Sequence, residues 1–328
     1  MRAGKIPNDD LKRIVLDKIK HKREEVIIRP KVGEDCTAID FGRFVCVLSC
    51  DPITGAAHEI GKLAVHVACN DIASCGVEPL GLMVVILAPL DAKEEDLDIV
   101  MKQISDTASL LNVEVIGGHT EITPFVTRFI LSCTAVGRAL KEKLVTTSGA
   151  KPGDSIIVTK FAGMEGTAIL AYDKEEELKK YIDPDTINRA KGFIDNISVV
   201  KEGIIAGEFG VSAMHDVTEG GVLGALWELA EASDVGLKIW EDKIPICEET
   251  YAISQIYNIN PLKLISSGCM LIACKRAEEL VKILKNNGIS ASIIGEVTED
   301  KSRVIIYKDR VEEIEPPVSD ELYKAIGS

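Results

Sequence analysis

Asn70-Asp71-Ile72-Ala73-Ser74-Cys75-Gly76 ends a run from Glu59 to Cys75 whose apolar spacing predicts a helix, stopped by Gly76. At about 100° per residue, Ile60, Ala64 and Val67 form one stripe. Asp71 lies eleven residues after Ile60 and returns to within roughly 20° of it, on the apolar side. It also lies near a helix C-terminus, where the macrodipole disfavours negative charge. An unpaired carboxylate there would be costly or would protonate. A metal or a basic side chain must neutralise it, and a structural ion pair answers that need as well as a metal site does.

Outward from this helix, Phe44 to Cys50 and Leu80 to Leu87 read as buried strands and Glu94 to Leu111 as an amphipathic helix. Val113 to Ile116 and Phe129 to Gly137 read as further strands. The turn-rich stretch from Thr147 to Asp154 suits a domain junction and divides the chain into 1–147 and 148–328. Past it come strands at Ser155 to Thr159, Gly268 to Cys274 and Arg303 to Tyr307. Helices are expected near Ile187 to Gly207, Gly220 to Ala232 and Ala277 to Asn286. Long apolar strands mixed with helices indicate two α/β or α+β halves.

The 328 residues are 46% hydrophobic and 27% charged, and 38 basic against 52 acidic residues give a net charge of −14. That balance argues against sequence-independent nucleic-acid binding and against an anionic membrane surface. No apolar run reaches the ~18 residues of a membrane span, and Met1 to Asp10 has no apolar signal core. Nine cysteines form no CxxC pair, and several, Cys69 and Cys133 among them, lie in apolar runs. They read as small buried hydrophobes in a cytoplasmic protein, without a disulfide framework or a structural zinc.

Four polar clusters accompany the helix. Gly33-Glu34-Asp35-Cys36-Thr37 offers carboxylates for a hard cation beside a glycine, or a solvated acidic turn. Asp51, followed by Pro52, Thr54 and Gly55, ends a strand and points to a ligand crevice or starts a turn. In Met214-His215-Asp216-Val217-Thr218-Glu219-Gly220-Gly221, Thr218 reads as an N-cap. The glycines there leave amides open to phosphate or permit a close helix crossing. In Gly117-Gly118-His119-Thr120-Glu121 the glycines make room for a ligand, and His119 and Glu121 are candidate acid, base or metal ligand. Lys160 to Gly166, His58 and Ser266-Ser267-Gly268 are weaker patches. No GxxxxGK[ST] and no GxGxxG occurs, so a metal–nucleotide site outside the P-loop and Rossmann classes fits best.

Taken in order, the clusters around Asp35, Asp51, Asp71, His119 and Asp216, with Ser266-Ser267-Gly268 before an apolar strand, resemble the PurM-like ATP-binding superfamily. The likeness spans the chain and is nearest to HypE-like and AIR-synthase-related members. It implies an α/β (α+β) two-domain architecture: an N-terminal sheet domain that dimerises into a barrel, and a C-terminal α/β domain. It also implies ATP and Mg2+ as cofactors. By motif position Asp35, Asp51, Asp71 and Asp216 would face the metal and Asn70 would orient phosphates. Gly33, Gly117, Gly118, Thr218, Gly220 and Gly221 would belong to the nucleotide site.

The implied chemistry is γ-phosphoryl transfer to an amide- or carboxylate-type oxygen of a small or protein-borne substrate. Three departures qualify it. HypE ends in a cysteine, whereas this chain ends Ala325-Ile326-Gly327-Ser328, so its dehydration is not expected in the usual form. His119 stands where relatives carry an acidic residue, with Glu121 as replacement. Cys36 lies inside the metal motif, which argues against selenide chemistry. A non-catalytic ATP-binding sensor or maturation dimer, and an authentic AIR synthase, are the alternatives.

Overall fold

The computed structural model describes residues 4–54 and 58–327, so Gly55 and Ser328 lie outside the described residues. A first sheet of six strands is built from β1 (Val26–Ile28), β2 (Thr37–Phe41), β3 (Phe44–Ile53), β4 (Pro79–Ala88), β5 (Glu114–Ile122) and β6 (Ile130–Leu140). Their lateral order is β1-β2-β3-β6-β4-β5, antiparallel except for the parallel pair β4 and β5. Alternation sets its two faces. Val45, Val47, Leu82, Val84, Leu131 and Cys133 turn inward onto the Ile60–Ser74 and Glu94–Leu110 helices. Phe44, Met83 and Val85 remain on the open side, each more than a third exposed.

A second sheet has seven strands in the order β13-β12-β9-β11-β7-β10-β8. They are β7 (Ser155–Thr159), β8 (Ala213–Asp216), β9 (Gly236–Trp240), β10 (Met270–Cys274), β11 (Ala291–Thr298), β12 (Arg303–Ile306) and β13 (Val311–Glu313). Val222, Leu226 and Leu229 of the Gly221–Ser233 helix pack on Ile156, Val158, Leu237 and Leu271. The opposite face, with Ile157, Met270 and Ile272, shares one core with Ile72, Ala73 and Val77 of the first domain. The Val200–Phe209 helix runs against the Ile60–Ser74 helix at that junction. A Cβ on Gly203 would meet Ala73 O at 2.3 Å, and one on Gly207 would meet Gly76 Cα at 2.7 Å. Glycine at both places lets the backbones touch.

Two sequence expectations change. The single helix expected at Ile187 to Gly207 is two helices, Pro184–Lys191 and Val200–Phe209, separated by a 3-10 turn at Gly192–Asn196. Gly192 and the Asp195-Asn196 pair interrupt the helical pattern. Gly117 to Glu121, expected as a glycine turn, continues the strand β5. Gly118 has φ of +151°, and a Cβ there would sit 1.9 Å from Val84 O, so the strand pairing itself requires glycine. Among the described residues no helix is long and apolar enough to cross a membrane.

The N-terminal segment reaches the second domain. Lys5 N donates to Glu219 Oε1 at 2.9 Å, and Lys12 Nζ pairs with Glu231 at 3.2 Å.

Candidate active site

Four aspartates from four elements meet between the domains. Asp35 comes from the loop before β2, Asp51 from the end of β3, Asp71 from the Ile60–Ser74 helix and Asp216 from the end of β8. Ser49 Oγ donates to Asp71 Oδ2 and lies 3.3 Å from Asp51 Oδ2. Ser74 Oγ lies 3.4 Å from Asp35 Oδ2. Ligand atoms of Asp35, His215 and Asp216 all fall within 4.8 Å of one another.

Asp71 is 4% exposed and Asp216 1%. Burial, then the charges of Asp216 and Asp51, raise the Asp71 carboxyl well above its ordinary range. Burial and Asp35 push Asp216 up to about 8. Neither carboxylate oxygen of Asp216 has a hydrogen-bond partner. His215 and Lys5 supply opposing positive charge. The His215 imidazole is held well above its usual pKa: burial works against the charged form, and Asp35 and Glu228 outweigh it. A set of hard oxygen donors, two of them buried with raised pKa and one of these with both oxygens orphaned, fits a divalent ion such as Mg2+.

The residues around this cluster carry family signatures in both halves. A family model for AIR synthase related protein, N-terminal domain, matches residues 33–139, and the corresponding C-terminal domain matches residues 151–308. A Methanocaldococcus jannaschii protein, provisionally named for hydrogenase expression and formation, is 32% identical over 93% of this chain and 91% of its own length. The chain belongs to the AIR synthase related family. Carbamoyl dehydratase HypE of Cupriavidus necator is 27% identical, covering 76% of this chain and 70% of its own. Thiamine-monophosphate kinase of Pyrococcus horikoshii is 31% identical over 78% of this chain and 77% of its own. Among solved structures, a chain of the HypE–HypF complex superposes with a TM-score of 0.78 at 24% identity, covering 94% of this chain and 99% of its own. HypE in complex with ATP gives 0.70 at 19% identity, over 90% and 92%. The fold is therefore the two-domain PurM-like α/β architecture expected from the sequence.

In this member of the family several expected ligands have other duties. Asn70 is fully buried; its Nδ2 donates to Ile197 O and its Oδ1 accepts from Val199 N, both at 2.8 Å. Both ends of its amide bond the second domain's backbone. Gly220, not Thr218, is the N-cap of the Gly221–Ser233 helix. Thr218 Oγ1 instead lies 3.5 Å from Lys5 Nζ. The glycine amides expected to be open are spent: Gly220 N donates to Asp320 Oδ2 at 2.7 Å and Gly221 N to Thr218 O at 3.1 Å. Gly33 serves contact between domains, since a Cβ there would lie 2.7 Å from Glu228 O. Gly117 has open space around it.

His119 and Glu121 do not join the aspartates. Asp51, Cys133, Val84 and Gly118 form one row across β3, β6, β4 and β5. At ~4.8 Å per strand that row spans about 14 Å. His119 and Glu121 pair with Val85 and Leu87 and share their open face, whereas Asp51, four residues after the inward Val47, lies on the inward face. Their side chains are 66% and 52% exposed, with Nε2 and Oε2 3.7 Å apart.

The site residues that sequence reasoning passed over are His215, Glu228 and Lys5. His215 stood inside a quoted motif, and Glu228 was a charge within an apolar helix; both signals were present. Lys5 carried none, because only the folded chain brings residue 5 to residue 218.

Proposed function

We propose that this chain is an Mg2+- and ATP-dependent phosphoryl-transfer enzyme that activates an amide- or carboxylate-type oxygen, releasing ADP. The observation that carries this reading is Asp216, buried with both oxygens unpartnered among three other aspartates. Asp35, Asp51, Asp71 and Asp216 would hold the ion, which offsets charge on the γ-phosphoryl group. The chain's own contribution is positioning: the aspartates fix the metal, and Lys5 brings positive charge to the Thr218 turn. Relatives crystallised with ATP or named as a kinase support the nucleotide. Nine free cysteines suit a reducing, cytoplasmic setting.

Calorimetry with Mg-ATP followed by a phosphate-release assay tests the reading. Binding that Asp71→Ala abolishes, with turnover that requires Mg2+, is expected; undiminished binding by that variant would refute it. A second reading, ATP binding without turnover, draws on the occupied amides of Gly220 and Gly221, which leave less backbone for a transferring phosphate. Mg2+-dependent phosphate release excludes it.

The open face of the first sheet is apolar and β5 is an edge strand, a combination that invites pairing with a second copy. In the proposed homodimer His119 and Glu121, on that face, act as acid or base toward the partner's site. Met83→Lys places a charge on the face and is expected to halve the sedimenting mass. An unchanged mass would remove this surface from the dimer.

A further inference from the structure

His215 lies between carboxylates from two domains. Its Nδ1 is 2.7 Å from Asp35 Oδ2 and its Nε2 is 3.1 Å from Glu228 Oε2. The histidine is 2% exposed and Glu228 7%. Each ring nitrogen thus faces a carboxylate oxygen, one from each domain. The ring also lies within 4.8 Å of an Asp216 carboxylate oxygen, with both its nitrogens already engaged by Asp35 and Glu228.

Asp35 belongs to a loop of the first domain; His215 in β8 and Glu228 in the Gly221–Ser233 helix belong to the second. Gly33 allows that loop to press against the Glu228 carbonyl. Ser74 Oγ reaches the same Asp35 Oδ2 from the Ile60–Ser74 helix. Ser74 spends its one proton on Asp71 O at 2.6 Å, so the imidazole is the group that holds Asp35 Oδ2.

We propose that Asp35, His215 and Glu228 form a positioning relay for the metal. Glu228 fixes the imidazole, the imidazole fixes Asp35, and Asp35 acquires its ligating orientation only with the two domains docked. The inference rests on the Mg-ATP reading and deepens it by assigning His215 and Glu228 a role in metal affinity. Both residues act through Asp35 and touch neither metal nor nucleotide.

The test is the affinity of a non-hydrolysable ATP analogue with Mg2+ and with EDTA, measured for wild type, Glu228→Gln, His215→Leu and His215→Gln. Melting temperatures are recorded alongside. Outer-shell partners of metal ligands typically control affinity by about 10- to 100-fold, and a loss of that size in the Mg2+-dependent gain is expected for His215→Leu. His215→Gln, which retains one donor toward Asp35, recovers part of it, and Glu228→Gln falls between. Affinity in EDTA is expected to stay level in all three. An unchanged gain in folded Glu228→Gln and His215→Leu overturns the relay and leaves the Mg-ATP reading standing. An equal fall with and without Mg2+ also overturns it, since that marks a general structural role. A wild-type protein that gains nothing from Mg2+ overturns the metal reading and the relay with it.

Discussion

Asp216→Asn will melt higher than the wild-type protein without metal, and will gain nothing from Mg2+ when it binds ATP. Asp216 is 1% exposed with neither oxygen bonded, beside Asp35 and Asp51. The unfolded chain releases this proton near the ordinary value of 3.8, while the folded chain holds it up to about 8. Between those values the unfolded state binds fewer protons, so wild-type stability falls as pH rises from about 4 to 8. Asparagine is neutral throughout and removes that slope. Single stabilising substitutions commonly yield about 0.5–2 kcal/mol, a shift of a few degrees at this chain length. Thermal melts at pH 5 and pH 8, with and without Mg2+, provide the measurement. A variant that melts lower than wild type at pH 8, or keeps its Mg2+ gain, would contradict the assignment of Asp216 as a ligand.

Asn70→Asp will lower the melting temperature by several degrees and leave nucleotide affinity intact below the melt. The present amide donates to Ile197 O and accepts from Val199 N, both at 2.8 Å, with no exposed surface. Aspartate would turn an acceptor toward the Ile197 carbonyl and bury a charge without a counter-ion. Breaking a buried polar pair in this way costs about 3 kcal/mol. The comparison separates two roles that the motif alone cannot. A phosphate-orienting Asn70 would lose ATP affinity with little change in melting, and that outcome would restore the expectation drawn from the family.

How far the sequence carried depended on whether the physics was local. Helix Ile60–Ser74 was legible from its apolar spacing, and Asp71 is buried as expected, although the helix is buried on nearly every side and not along one stripe. The strands rich in apolar residues were legible for the same reason. The split between Pro184–Lys191 and Val200–Phe209 was missed although Gly192 and Asp195-Asn196 mark it locally, because the apolar spacing continues through the break. The open amides at Gly220 and Gly221 were a sound local reading, undone by Asp320 arriving from the C-terminal segment. Convergence of Asp35, Asp51, Asp71 and Asp216 could be inferred only through the family resemblance. The His215 bridge needed coordinates, since ring orientation is invisible in a motif.

At the crossing of the Ile60–Ser74 and Val200–Phe209 helices, Gly203 and Gly207 bring main chain against main chain. Surfaces meshed that tightly do not slide or hinge without clashing. On the proposed function, nucleotide would then meet a site already shaped by the joined halves. The halves would behave as one rigid block that waits for its ligand, not as jaws that shut on it.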